Sequence, residues 1–215
     1  MTSQSRFVEP PPLAVRLLTL FAPDKEAESI LGDLLEEFSL LGSKSGAPFA
    51  RRWYWRQSLK TILQLAVLGF RTAPWLTMVA VVGGFFLRKV VGRLVSPTLF
   101  AVLERYQVYE HHFSMYIFLF STGFDVGQAI AALFVGFMVA LVAKGREMVA
   151  TTMLSLIFGA MMVVVLPVIV THEGYGIALS RAMWSFSDSL AMVIAGAIVR
   201  TRRLGVATRH QQSII

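Results

Sequence analysis

The sequence predicts an all-α protein: an integral membrane four-helix bundle preceded by a small amphipathic helical cytoplasmic domain. Three observations predict it. Four long apolar stretches fill the last two-thirds of the 215 residues, and the clearest, Val149 to Thr171, carries no charged side chain. A bilayer core about 30 Å thick needs roughly 20 apolar residues in a helix. Lipid offers the backbone no hydrogen-bond partner, so a helix, which satisfies its own N–H and C=O groups, is the natural form. Hydrophobic residues make up 55% of the chain and charged ones 15%, with a mean hydropathy of +0.63. Soluble domains carry about 25% charged residues. Finally, residues 27–41 repeat apolar side chains at helical spacing, which marks a surface helix ahead of the spans.

Residues 1–9 read as a disordered tail, and residues 10–72 as the helical domain with an interfacial helix. Pro10, Pro11 and Pro12 precede Leu13–Phe21, and proline suits a first helical turn. That apolar run is too short for a signal peptide, so the amino terminus is expected to be retained in the cytoplasm. Asp24 is the expected N-cap of the next helix. Ala27, Ile30, Leu31, Leu34, Leu35, Phe38 and Leu41 share one face, with Glu26, Ser29, Asp33, Glu36 and Glu37 on the other. Gly42 is the expected stop. After a Ser/Lys/Gly-rich turn through Pro48, a helix over 49–70 carries Arg51-Arg52-Trp53-Tyr54-Trp55-Arg56-Gln57. Aromatic rings beside cations favour the headgroup layer. The same cations are also candidates to face Glu36 and Glu37.

The expected spans are 73–95, 124–143, 149–171 and 177–199, with a basic tail at 200–215. Net charge is +7, of which residues 73–215 supply +5. Lys144 and Arg146 link the second and third spans, and Arg200, Arg202, Arg203 and Arg209 follow the fourth. The positive-inside rule then places both termini and the 144–148 link in the cytoplasm, and the 96–123 and 172–176 loops outside. Arg88, Lys89 and Arg93 conflict with this, since they fall toward the outer end of the first span. The basic excess sits beside apolar runs, so it speaks for topology and not for nucleic acid. With no cysteine, disulfides and thiolate metal sites are excluded.

The amino-terminal third has a recognisable pattern: Pro11-Pro12-Leu13, then Ile30-Leu31-Gly32-Asp33-Leu34-Leu35-Glu36-Glu37-Phe38, then Ala50-Arg51-Arg52-Trp53-Tyr54-Trp55-Arg56-Gln57. It resembles the permease prefix domain that precedes bacterial ABC-transporter permeases of the macrolide-exporter type. The resemblance covers residues 10–62. It implies a protein of the bacterial inner membrane near transport systems, with an ABC permease as the expected partner, and it implies no catalytic residue. The rest departs from that pattern: such permeases continue into a long periplasmic domain and a large permease core, whereas four spans follow here.

Several side chains are candidates for chemistry. An ionisable group inside a span costs at least about 2.5–3.5 kcal/mol on insertion scales, which makes it a functional suspect. Asp188 lies mid-span, with Arg181 two turns earlier on a similar face. Asp125 and Gln128 begin the second expected span, and Arg88 reaches comparable depth on the first. An Arg88–Asp125 pair, or Arg88 or Lys89 with Asp188, is geometrically reasonable. The functional reading is an ion or proton relay in a small carrier or channel. The simpler one is a structural pair, or a neutral Asp188 bonded to Ser185 or Ser187. His111 and His112 with Glu110, and His172 with Glu173, are weak candidates for an outer-face zinc site, the basis of a metalloenzyme reading. Adjacent histidines point apart on a helix, and no HExxH spacing occurs.

Two rows of small residues, Gly123/Gly127/Ala131 and Ala132/Gly136/Ala140, suit close helix contact. They serve self-association, docking on a permease, or packing within this bundle. The methionines at 148, 153, 161 and 162 read as gap-filling core. No Walker lysine or Ser/His/Asp constellation appears, Gly174-Tyr175-Gly176 reads as a turn, and no cofactor is expected. The first expectation is therefore a non-enzymatic membrane protein, an accessory or interaction module of ABC-type transport. Its partners would be the lipid bilayer, a permease or another copy of itself.

Overall fold

The computed structural model describes residues 9–23, 26–72 and 74–212, the last seven by backbone alone. All regular structure among them is helical: α1 (Pro12–Phe21), α2 (Ala27–Ser45), α3 (Ala47–Thr72), α4 (Pro74–Arg105), α5 (Val108–His111), α6 (Phe113–Val142), α7 (Glu147–Glu173) and α8 (Tyr175–Gln212). The chain divides into two compact units. One runs to Pro74 and takes in the chain from Leu204 onward, and the other is Trp75–Arg203. The expected disordered tail (but for Glu9), the Asp24 cap, Ala73 and the Arg209 side chain lie outside the described residues.

The first unit is built on α1, α2 and α3, which all touch one another. Ala14 and Leu18 of α1, Leu34 and Phe38 of α2, and Ala50 and Tyr54 of α3 form its core. The i, i+4 spacing within each pair is the reason: it puts both side chains on one helical face. Phe38 and Tyr54 meet edge to face, their centroids 5.5 Å apart. Of the expected apolar face, Leu34 and Phe38 are buried, Ile30, Leu31 and Leu41 pack partly against the core, and Leu35 is exposed. The stop at Gly42 is corrected. The helix continues to Ser45 and ends at Gly46, whose φ of +86° is one that L side chains rarely adopt. Gly42 lies within a helical run with nothing forcing it to turn, so the stop falls where the backbone must reverse. Pro48 then sits in the first turn of α3 rather than in a long loop.

In the second unit, α4, α6, α7 and α8 share one core of Ala80, Val81, Ala132, Val135, Val139, Ala143, Ala150, Leu154 and Met192. Three helices, α6, α7 and α8, are by themselves long and apolar enough to cross a bilayer, and α3 with α4 adds a fourth crossing when the two are counted as one broken span. The chain is a multi-pass membrane protein. Facing glycines define the packing. A Cβ on Gly127 would strike Val95, one on Gly123 would meet Leu99, and one on Gly84 would strike Val139, so α4 and α6 run antiparallel in close register. Gly136 lies against the Met192 backbone, where a Cβ would stand 2.7 Å from its Cα and its carbonyl oxygen. Both small-residue rows are thus used inside the bundle.

The expected boundaries need correction. The first apolar helix extends past residue 95 to Arg105 with Pro97 inside it. The proline removes one helical N–H bond without ending the helix, and beside it the Thr98 hydroxyl donates to the Leu94 carbonyl at 2.6 Å. The second begins at Phe113, not 124. The supposed 96–123 loop is therefore mostly helix, broken only around Tyr106–Gln107 and His112, with Gln107 left-handed at φ 51°. Bilayer thickness sets a minimum helix length but no maximum, and the apolar 113–120 run has no breaker. At that corner Tyr109 meets both Phe113 and Tyr116 edge to face, and Tyr116 stacks on Phe120. The 200–215 tail is not separate, since α8 runs on to Gln212.

Candidate functional site

Within the second unit, α4, α6 and α8 converge on a buried polar cluster. Arg88 of α4 is at its centre and is only 9% exposed. Its Nη2 donates to Asp188 Oδ2 on α8 at 2.6 Å, and its Nη1 donates to Gln128 Oε1 on α6 at 2.7 Å. Gln128 Nε2 in turn donates to the Gly92 carbonyl at 3.0 Å, which returns the network to α4. Gly92 makes this possible. A Cβ there would lie 2.5 Å from Arg88 Nη1 and 3.2 Å from Gln128 Oε1. Asp188 Oδ1 is buried without a hydrogen-bond partner. Beside the cluster, the Ser155 hydroxyl donates to the Ser189 carbonyl at 3.2 Å and ties α7 to α8.

The cluster forms one end of a cavity of about 890 Å³. Its polar lining includes Arg88, Lys89 and Arg93 of α4, Asp125 and Gln128 of α6, and Ser180, Arg181, Ser185 and Asp188 of α8, set among Phe124, Phe158 and Trp184. The cations that conflicted with the expected topology therefore line a cavity. Asp188 lies about 18 Å, at about 1.5 Å per residue, from Arg200 at the 143–146 turn, which is near the middle of a bilayer core. Arg181 lies about 10 Å farther toward the opposite end. It pairs there with Glu173 at 2.9 Å, and both side chains are exposed.

A second polar cluster closes the other end of the bundle. Glu147, at 1% exposure, starts α7. It accepts the Gly145 N–H at 3.0 Å, bonds Arg203, and stands 3.8 Å from Arg200. Arg203 Nη2 also donates to the Leu141 carbonyl at 3.2 Å. Sequence reasoning missed Glu147. The available signal was one acid directly after Lys144 and Arg146, at the level of Arg200 and Arg203.

Of the expected pairings, Arg88–Asp188 is present. The Arg88–Asp125 pair is not, because Arg88 is already committed to Gln128 and Asp188. Asp188 also bonds Arg88 rather than Ser185 or Ser187. Arg181 and Asp188 line the same cavity, as their shared face implied. Among the described residues no three His, Asp or Glu side chains gather into a metal-binding group. His111 Nδ1 is 3.1 Å from the carbonyl of Gln107 in its own turn, His112 and His172 are exposed, and Glu173 is held by Arg181.

In the first unit the motif residues divide cleanly. Trp53 and Trp55 pack partly on the core, while Gly32, Asp33, Glu36, Glu37, Arg52 and Arg56 are exposed. Among the described residues, Glu36 and Glu37 form no ion pair with Arg51, Arg52 or Arg56, which corrects the pairing expected between α2 and α3. Tyr54 and Ser58 are buried with their hydroxyls unpartnered. Burial pushes the Tyr54 phenol above its ordinary range. Comparison of the chain with protein-family models, curated proteins and solved structures finds no match.

Proposed function

We propose that this chain is a non-enzymatic protein of the bacterial cytoplasmic membrane whose helical prefix docks onto ABC-type transport machinery. The observation that carries this reading is the exposure of the polar half of the prefix motif. The unit closes on Ala14, Leu18, Leu34, Phe38, Ala50 and Tyr54. Asp33, Glu36 and Glu37 on α2 and Arg51, Arg52 and Arg56 on α3 take no part in that core. An acidic helix and a basic helix are thus left for a partner of complementary charge, and such charges serve specificity and encounter more than affinity. The test is co-purification of an ABC permease or its ATPase with the full chain. Glu36→Lys with Glu37→Lys, or Arg52→Glu with Arg56→Glu, should abolish it without lowering thermal stability. Unchanged co-purification by both double variants would remove the docking role.

On this reading both termini face the cytoplasm, which the basic residues of the 144–146 link and the end of α8 support. A reporter fused after residue 215 should behave as cytoplasmic, and one inserted at Tyr106 as external.

A second reading is a small carrier working through Asp188, favoured by the cavity that reaches this carboxylate in mid-bundle. Proton or cation flux in vesicles holding the purified protein, lost in Asp188→Asn, is its test.

A further inference from the structure

The charges lining the cavity do not balance among the described residues. Arg88 is matched by Asp188, and Arg181 by Glu173. Lys89 and Arg93, one helical turn apart on α4, have no acidic partner among the described residues. Lys89 only rests over the Phe85 ring, 5.6 Å from its centroid. One further carboxylate, Asp125, shares the lining and is itself without an ion pair there. One positive charge is therefore left over.

The surplus has a defined depth. Arg93 lies about 7.5 Å beyond Arg88 along α4, toward the end where Glu173 and Arg181 meet. Added to the roughly 18 Å from Arg200 to Asp188, that is about 26 Å of a bilayer core about 30 Å thick. From there a long arginine side chain reaches the headgroup layer. The same lining carries the aromatic side chains of Phe124, Phe158 and Trp184. Cationic and hydrogen-bonding groups beside aromatic walls match a molecule with an anionic head and an apolar body. A phosphodiester carries one negative charge, which equals the surplus, and arginine favours phosphate oxygens as partners.

We propose that this cavity binds an anionic phosphodiester amphiphile, with Lys89 and Arg93 contacting the phosphate and the aromatic walls holding the apolar part. The site is independent of any docking by the prefix. Arg88 and Asp188 form its floor and act as positioning residues.

The test uses the full chain in neutral detergent. It is titrated with short-chain phosphatidylglycerol, short-chain phosphatidylcholine and inorganic phosphate, and the signal is Trp184 fluorescence, with Trp184→Phe as the blank. Phosphatidylglycerol should bind at least about tenfold more tightly than phosphatidylcholine. Lys89→Gln with Arg93→Gln should abolish that preference, whereas the charge-conserving Lys89→Arg with Arg93→Lys should keep most of it. Both side chains are exposed, so these variants should melt like the parent. Arg202→Gln, a cation outside the cavity, should bind normally. Asp125→Asn should bind as well as the parent or better, because it removes a repelling carboxylate. Equal binding of the two lipids, or a preference that survives in the double glutamine variant, would overturn the site. Weaker binding by Asp125→Asn would show that an ammonium group is recognised, and the anionic assignment would fall. Saturation by inorganic phosphate that displaces the lipid would show a soluble anion as the ligand and overturn the amphiphile.

Discussion

Arg88 and Asp188, one hundred positions apart, meet at 2.6 Å and join α4 to α8 in the interior of the bundle. Their side chains are 10% and 20% exposed, so little solvent shares the interaction. Removing one partner of such a pair strands a charge, at about 3–5 kcal/mol, whereas replacing both by apolar residues is often neutral. Asp188→Asn should therefore destabilise the bundle more than Arg88→Met combined with Asp188→Leu. Thermal melts of the detergent-solubilised protein check the order. A single variant as stable as the parent would show that the pair does not hold the helices together.

Gly136 sets the distance between α6 and α8. The atoms nearest to a Cβ there belong to the Met192 backbone, which no rotamer change can move aside. Gly136→Ala should cost about 1–3 kcal/mol through overpacking. Gly159→Ala is the control: it places its methyl in open space on α7, so it should melt like the parent or slightly above it.

Leu34 is the α2 residue whose truncation tests the prefix core. It is 6% exposed and packs among the buried residues of α1 and α3. Leu34→Ala should cost about 2–5 kcal/mol, the range for a buried leucine. Hydrogen exchange across residues 27–45 should rise in the variant, and an unprotected helix in the parent would contradict the packed unit.

Tyr54 gives the same unit a pH dependence. Its phenol holds its proton more tightly folded than unfolded, because burial disfavours the charged form. The associated stability is present below the ordinary tyrosine value of 10.0 and is lost as pH rises through the higher folded value. Tyr54→Phe should remove this alkaline loss. At neutral pH it should be neutral or stabilise by about 1 kcal/mol, since the buried hydroxyl has no partner. Denaturant melts at pH 7 and pH 10.5 check both statements.

Local pattern alone determined the all-α class, the presence of several long apolar helices and the amphipathic face of α2. Each of these depends on residues three or four positions apart. The i, i+4 pair Leu34/Phe38 was read directly, and the structure adds Ala14/Leu18 and Ala50/Tyr54 at the same spacing to complete the core of the prefix. The ends of α4 and α6 could not. Bilayer thickness bounds the apolar run, but a helix continues until its backbone is turned, as at Gln107 and Gly46. Among the ionisable residues, position in the apolar runs nominated Arg88, Asp125, Arg181 and Asp188 and left Arg88 with either Asp125 or Asp188 as its partner. Only the tertiary structure chose Asp188 over Asp125 for Arg88, and brought Glu147 to Arg200 and Arg203. A salt bridge depends on which helix faces lie within about 4 Å. That is decided by close contacts such as Gly136 on Met192 and Gly127 on Val95, and by the room Gly92 leaves for the Arg88 guanidinium.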